Sequence, residues 1–126
     1  MEEQAIAKTI LIIEDEPDIR QIYAEILKDA GFLVLEAAEG NSGLEIASSQ
    51  PWDLLLLDIM LPGQDGLHVL REIKKVPELA KKPVLLLTNL ESEPIITECF
   101  SLGADGYLIK SEITPDYIVA EVRNYF

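Results

Sequence analysis

Cysteine occurs once in these 126 residues, at Cys99, so an internal disulfide and Cys-based zinc fingers are excluded. Histidine also occurs once, at His68, and tryptophan once, at Trp52. Basic side chains are scarce: ten Lys and Arg stand against 23 Asp and Glu, for a formal net charge of −13. Diffuse negative charge of that size repels nucleic-acid phosphates and anionic membrane surfaces, so neither is an expected partner. No apolar run approaches the ~18 residues of a membrane span. The opening Met1-Glu2-Glu3-Gln4 is acidic where a secretory signal would be basic. The expectation is a cytoplasmic protein of one domain over residues 1–126, with its core from about residue 8 and a short extension over 1–7.

What is present is the composition of a folded chain, 48% hydrophobic and 26% charged. The charge is uneven. Residues 1–63 hold 13 acidic and 3 basic side chains, whereas residues 64–126 hold 10 and 7. Five of those basics, Arg71, Lys74, Lys75, Lys81 and Lys82, lie close together and are expected to form a solvated face.

Short apolar runs alternate with amphipathic stretches. Thr9–Ile13, Phe32–Ala37, Leu54–Leu57, Val84–Leu87 and a weaker Tyr107–Ile109 are too short for helices and nearly unbroken. They read as strands buried on both faces. Between them, Ile19, Ile22, Tyr23, Ile26, Leu27 and Ala30 follow helical spacing, with Pro17 suited to the first turn and Gly31 to the stop. Gly40–Ser49 predicts a second helix, and Leu67, Leu70 and Ile73 a third. Pro94 opens a fourth, with Ile95, Ile96, Cys99 and Phe100 apolar and Gly103 ending it; Cys99 is expected in the core. Pro115 opens a fifth helix running to Phe126. Five strands alternating with five helices predict an α/β doubly wound fold: a parallel sheet, helices on both faces, right-handed crossovers.

In such a fold the ligand crevice lies beyond the carboxyl ends of the strands. Those positions carry Glu14-Asp15-Glu16 after the first strand, Asp58 after the third, Thr88-Asn89 after the fourth and Lys110 after the fifth. For a strand order of 2-1-3-4-5, Glu14, Asp15 and Asp58 converge. Two carboxylates ~4 Å apart repel by about 4 kcal/mol at an effective dielectric of ~20, so either their pKa values rise or a cation binds. Three oxygen donors without His or Cys suit a hard ion such as Mg²⁺. Each group alone has a plain reading: a solvated helix start, a polar strand end, a surface lysine. Together they match one chemistry. A carboxylate attacks phosphorus to form an aspartyl phosphate, a metal offsets the repulsion, and an ammonium and a hydroxyl meet the remaining oxygens. Asp58 is the candidate nucleophile, with Lys110 and Thr88 for the last two roles.

The stretches Ile10–Arg20 (ILIIEDEPDIR), Asp53–Gly66 (DLLLLDIMLPGQDG), Val84–Thr88 (VLLLT) and Gly103–Lys110 (GADGYLIK) closely resemble the receiver domain of two-component response regulators, over about Lys8 to Phe126. The resemblance implies a flavodoxin-like (βα)5 fold of strand order 2-1-3-4-5. It implies Asp58 as phospho-acceptor, and Glu14, Asp15, Asp58 and the Met60 main-chain carbonyl around Mg²⁺ or Mn²⁺. It also implies Thr88 and Tyr107 as switch residues, Lys110 as partner of the phosphoryl oxygens, and Pro62 and Gly66 in the loop beside the acceptor. A histidine kinase or phosphotransfer protein would donate the phosphoryl group. The surface of the fourth helix, fifth strand and fifth helix would carry the output, including homodimer or output-domain contact. Such a domain catalyses only its own phosphorylation and dephosphorylation. The sequence departs from the family at Ser111, where a proline usually follows the lysine, at Asn89, where small residues are usual, and at Glu14, where Asp is commoner.

Other readings stay open at this point. A phosphatase of the haloacid-dehalogenase type would place D-x-D after the first strand, where Glu14-Asp15-Glu16 stands. A flavodoxin-like nucleotide binder would need a Gly/Ser/Thr-rich loop there. A phosphorylation-independent receiver-like interaction module is the remaining alternative. His68 is expected to be an ordinary surface or half-buried histidine, and Trp52 to fill space before the third strand. Tyr117, Ile118, Val119, Val122, Tyr125 and Phe126 are more apolar than one helix face needs, which fits either an interface or a cut before a linker.

Overall fold

A computed structural model describes residues 7–61, 66–89 and 93–126. Pro62 and most of the expected N-terminal extension lie outside the described residues. The element order is β1 (Thr9–Ile13), α1 (Pro17–Asp29), β2 (Leu33–Ala37), α2 (Gly40–Ser49), β3 (Leu54–Asp58) and α3 (Gly66–Lys74), then a single turn α4 (Pro77–Ala80). β4 (Val84–Thr88), α5 (Glu93–Ser101), β5 (Gly106–Ile109), a 3-10 turn (Lys110–Glu112) and α6 (Pro115–Arg123) complete it. The turn α4 is absent from the five-helix expectation; four residues are too few to show periodicity. The expected fourth and fifth helices are therefore α5 and α6.

All strand pairs are parallel, in the order β2-β1-β3-β4-β5. The unbroken apolar runs are explained by alternation between two covered faces. On one face Leu11, Ile13, Leu55, Leu57, Val84 and Leu86 pack with α2, α3 and α5; on the other Ile10, Ile12, Leu54, Leu56, Leu85, Leu87 and Leu108 pack with α1 and α6. Each fully buried Leu or Ile contributes about 1.5–3 kcal/mol of transfer free energy, most of it in the three central strands.

Burial on both faces fails for the two edge strands, β5, where only Leu108 is buried, and β2. Leu33 is 57% exposed and Glu36 is also exposed. β2 pairs only with β1 at the sheet edge, so one side of the strand has no neighbour. Helical spacing also overextends two apolar stripes: Ile22 and Phe100 face outward, while Tyr23, Ala24, Leu27, Ile96 and Cys99 are buried. Helix α6 stops at Arg123, short of Phe126. The helix stops at glycine hold, with Gly31 at φ +100° and Gly103 at φ +109°. After α1, the Phe32 N–H donates to the Leu27 carbonyl (3.0 Å) and the Gly31 N–H to that of Lys28 (3.0 Å). No helix among the described residues is long and apolar enough to cross a membrane.

The basic group on α3 and beside α4 is largely engaged within the chain. Arg71 pairs with Glu98 (3.0 Å), Lys75 with Glu72 (2.7 Å), Lys74 donates to the Ala80 carbonyl (3.0 Å), and Lys82 lies over the buried Trp52 ring (4.6 Å). The C-terminal aromatics fold back likewise. The Tyr125 hydroxyl donates to the Asp105 carbonyl (3.3 Å), and Phe126 packs on Phe32 with Lys8 over its ring.

Candidate functional site

The parallel registers bring the strand ends level. Ile13 lies opposite Leu57, Asp58 opposite Leu87, and Thr88 opposite Ile109. The residues just past those ends therefore share one crevice. Glu14 (0% exposed), Asp58 (2%) and Thr88 (2%) are the buried polar side chains among the described residues.

Asp58 ends β3, and its carboxylate is held on both sides. Oδ1 accepts the Met60 N–H (2.9 Å), and Oδ2 accepts from Lys110 Nζ (3.0 Å). Gly66 makes this turn possible. A methyl group there would stand 2.5 Å from the Asp58 carbonyl oxygen and 2.6 Å from Ile59 Cα, both backbone atoms. The Gly66 N–H also donates to the Ile59 carbonyl (3.0 Å), tying the start of α3 to the strand end.

Glu14 is sealed beneath the β1–α1 loop. Its Oε2 accepts the Glu16 N–H (3.1 Å), while Oε1 faces the Lys110 ammonium at 2.8 Å without a hydrogen bond of good geometry. Burial pushes its carboxyl up to about 7; Lys110 and the Glu16 N–H oppose this, and the Asp58 charge adds to it. Burial by itself lowers the Lys110 pKa, but the adjoining Glu14 and Asp58 carboxylates override it, and the net shift is upward. The lysine stays charged between two carboxylates.

One oxygen each of Glu14, Asp15 and Asp58 lies within 4.8 Å of the others. Such a set of hard oxygen donors, including a solvent-sealed Glu14 Oε1 with no hydrogen bond, fits a small divalent cation. The trans Lys110–Ser111 peptide does not prevent Lys110 from reaching the site, because the 3-10 turn Lys110–Glu112 starts at the strand end. Asn89 and Met60 are exposed at the crevice rim.

Tyr107 is 42% exposed and turned out of the sheet, with its ring edge-on to Phe100 at 6.0 Å. It thus lies on the α5–β5 face, apart from the acidic cluster. His68 is half-buried on α3, as expected.

Two neighbours of the site escaped the sequence reading. Arg20 donates through Nη1 to the Glu14 carbonyl (2.8 Å) and pairs through Nε with Glu36 (3.3 Å). Tyr23 is buried on α1, close enough that Lys110, Glu14 and Asp58 all act on its phenol, whose pKa burial raises. Both lie one or two turns into α1, and helical spacing alone points them at the core or at solvent, not at a strand end.

The fold has counterparts among known proteins. The chemotaxis response regulator CheY4 of Vibrio cholerae is 26% identical, with a TM-score of 0.90 over 96% of this chain and 100% of that one. A candidate response regulator from Chloroflexus aurantiacus is 30% identical, with a TM-score of 0.85 over 95% and 98%. The receiver domain of a sensor histidine kinase from Pseudomonas aeruginosa, described with a magnesium ion coordinated in its active-site cleft, is 25% identical, with a TM-score of 0.86 over 95% and 98%. The family model of the response regulator receiver domain matches residues 10–123, nearly the whole described sheet and its helices, and the chain belongs to that family.

Proposed function

We propose that this domain is a phosphorylation-controlled switch in which Asp58 accepts a phosphoryl group from the phosphohistidine of a partner kinase or phosphotransfer protein. The observation that carries this reading is the convergence of three carboxylates within 4.8 Å, with Lys110 bridging the two buried ones at 2.8 and 3.0 Å. A carboxylate oxygen of Asp58 forms the new bond to phosphorus as the phosphorus–nitrogen bond to the donor histidine breaks. Asp58 is well prepared for this. Its strand is buried throughout, and the Met60 N–H and Lys110 hold its carboxylate in one orientation.

Glu14, Asp15, Asp58 and the Met60 carbonyl would hold Mg²⁺ or Mn²⁺. When bound, the ion offsets carboxylate–phosphoryl repulsion and orients the phosphoryl oxygens. Lys110 then exchanges Asp58 Oδ2 for a phosphoryl oxygen, and the Thr88 hydroxyl meets another. Movement of Thr88 leaves room for Tyr107 to turn inward, which changes the α5–β5–α6 surface offered to a second copy or an output domain. On this reading the domain works in the cytoplasm and has no external substrate to turn over.

The test is intact-protein mass after incubation with acetyl phosphate and Mg²⁺. One added phosphoryl group on the parent protein, absent in Asp58→Asn, is the expected result. No adduct, together with no Mg²⁺ binding, would leave a phosphorylation-independent interaction module instead.

A further inference from the structure

Glu14 is anchored at every polar atom: its N–H donates to the Ala37 carbonyl (3.1 Å), its Oε2 accepts from Glu16, its Oε1 faces Lys110, and its carbonyl accepts from Arg20 (2.8 Å). Asp15 differs. No side-chain hydrogen bond or ion pair holds it among the described residues, although it supplies one of the three converging oxygens. Its direction is therefore inherited from the peptides on either side. The peptide downstream is held through the Glu16 N–H on Glu14 Oε2 and the Glu16 carbonyl under the Arg20 N–H, with no side-chain capping bond added. The restraint upstream is the Glu14 carbonyl, and the group that grips it is the Arg20 guanidinium.

We propose that Arg20 is a positioning residue for the acidic site, acting through the Glu14–Asp15 peptide. This rests on the reading of that site as a divalent-cation and phosphoryl site. Arg20 joins three pieces of structure. Its backbone N–H closes the first helical bond to Glu16 (2.9 Å), its Nη1 holds the Glu14 carbonyl, and its Nε meets Glu36 on the edge strand (3.3 Å). A planar guanidinium directs donors from two different nitrogens, Nη1 and Nε, at acceptors on two elements, whereas a lysine donates from one nitrogen on a flexible stem. The side chain is 19% exposed, so these bonds are screened less than those of a surface pair. Glu36 supplies the far anchor. It follows that a glutamate exposed on the sheet edge, with no contact to the site, also sets the aim of Asp15.

The test compares Mg²⁺ affinity by isothermal titration calorimetry with backbone amide hydrogen exchange in the metal-free protein. Arg20→Gln is expected to weaken Mg²⁺ binding about tenfold, the order found when an outer partner of a metal ligand is removed. Amide exchange at Asp15 and Glu16 should speed up while the β1 and β3 amides keep their protection. Arg20→Lys should recover part of the affinity, and Glu36→Gln should lose less than Arg20→Gln. Arg71→Gln, which breaks the surface pair with Glu98, serves as the control and should leave Mg²⁺ affinity unchanged. Unchanged affinity in Arg20→Gln, or faster exchange throughout the sheet, would overturn the proposal, the second result marking Arg20 as a general fold anchor. If the parent protein binds no Mg²⁺, the functional reading falls, and local exchange at Asp15 and Glu16 still decides whether Arg20 holds the loop.

Discussion

Lys110 Nζ lies 3.0 Å from Asp58 Oδ2, a hydrogen bond that joins residues 52 apart in the chain and spans the ends of β3 and β5. The same ammonium stands 2.8 Å from Glu14 Oε1. Two buried carboxylates are thereby neutralised in part by one cation, and the site keeps a residual negative charge that a divalent ion would meet.

Removing that ammonium should be costly. Lys110→Ala leaves Glu14 and Asp58 buried without their cation, and breaking a buried pair from one side costs about 3 kcal/mol. The loss should be largest at pH 8 and smaller at pH 5, where Glu14 takes up a proton. Urea unfolding of parent and variant at both pH values, in a chelator, measures it. Equal losses at the two pH values would show that Lys110 does not compensate the Glu14 charge.

Glu14 itself makes stability depend on pH. Its carboxyl titrates at about 7 in the folded chain against an ordinary value of 4.5, so the folded state binds the proton more tightly. The resulting stabilisation is complete below about pH 4.5 and is lost as pH rises through about 7. Its full size is on the order of 3 kcal/mol. Glu14→Gln should abolish this segment of the stability–pH curve in metal-free protein and so gain relative stability above pH 7. A curve of the parent's shape in Glu14→Gln would assign the titration to another group.

Gly66→Ala should damage the acceptor strand directly. The added methyl meets backbone atoms of Asp58 and Ile59, which cannot move aside without shifting the carboxylate. Overpacking of this kind costs about 1–3 kcal/mol, and a slower acetyl-phosphate reaction should accompany it. Calorimetric melting and a phosphorylation time course on one sample separate the two effects. A normal rate at normal stability would mean that the turn accommodates a side chain.

Phe100→Ala should release Tyr107. An edge-on aromatic pair contributes about 0.5–1.5 kcal/mol, and this one lies on the surface, so the melting temperature should change little. The phenol should then sample inward rotamers more often, read as averaging of its side-chain NMR couplings. Unaltered couplings would show that the sheet, not Phe100, holds the ring outward.

The alternation of apolar runs with amphipathic stretches was enough to predict five parallel strands, because strands joined through helices run parallel and the three central ones, buried on two faces, have no interior polar position to spare. It also placed Glu14, Asp15, Asp58, Thr88 and Lys110 at strand ends, since those are the first residues past each run. Tertiary structure decided the rest. Periodicity does not report which strand lies at an edge, so the exposure of β2 followed only from its pairing with β1 alone. It does not report how far a helix turns before losing contact, so Ile22 and Phe100 share the apolar spacing of their helices and yet stand outside the core. Residue types alone marked the acids as a place for a cation. The grip of Arg20 on the Glu14 carbonyl, and the single lysine shared by Glu14 and Asp58, depend on ångström distances between segments far apart in the chain, which only packing sets.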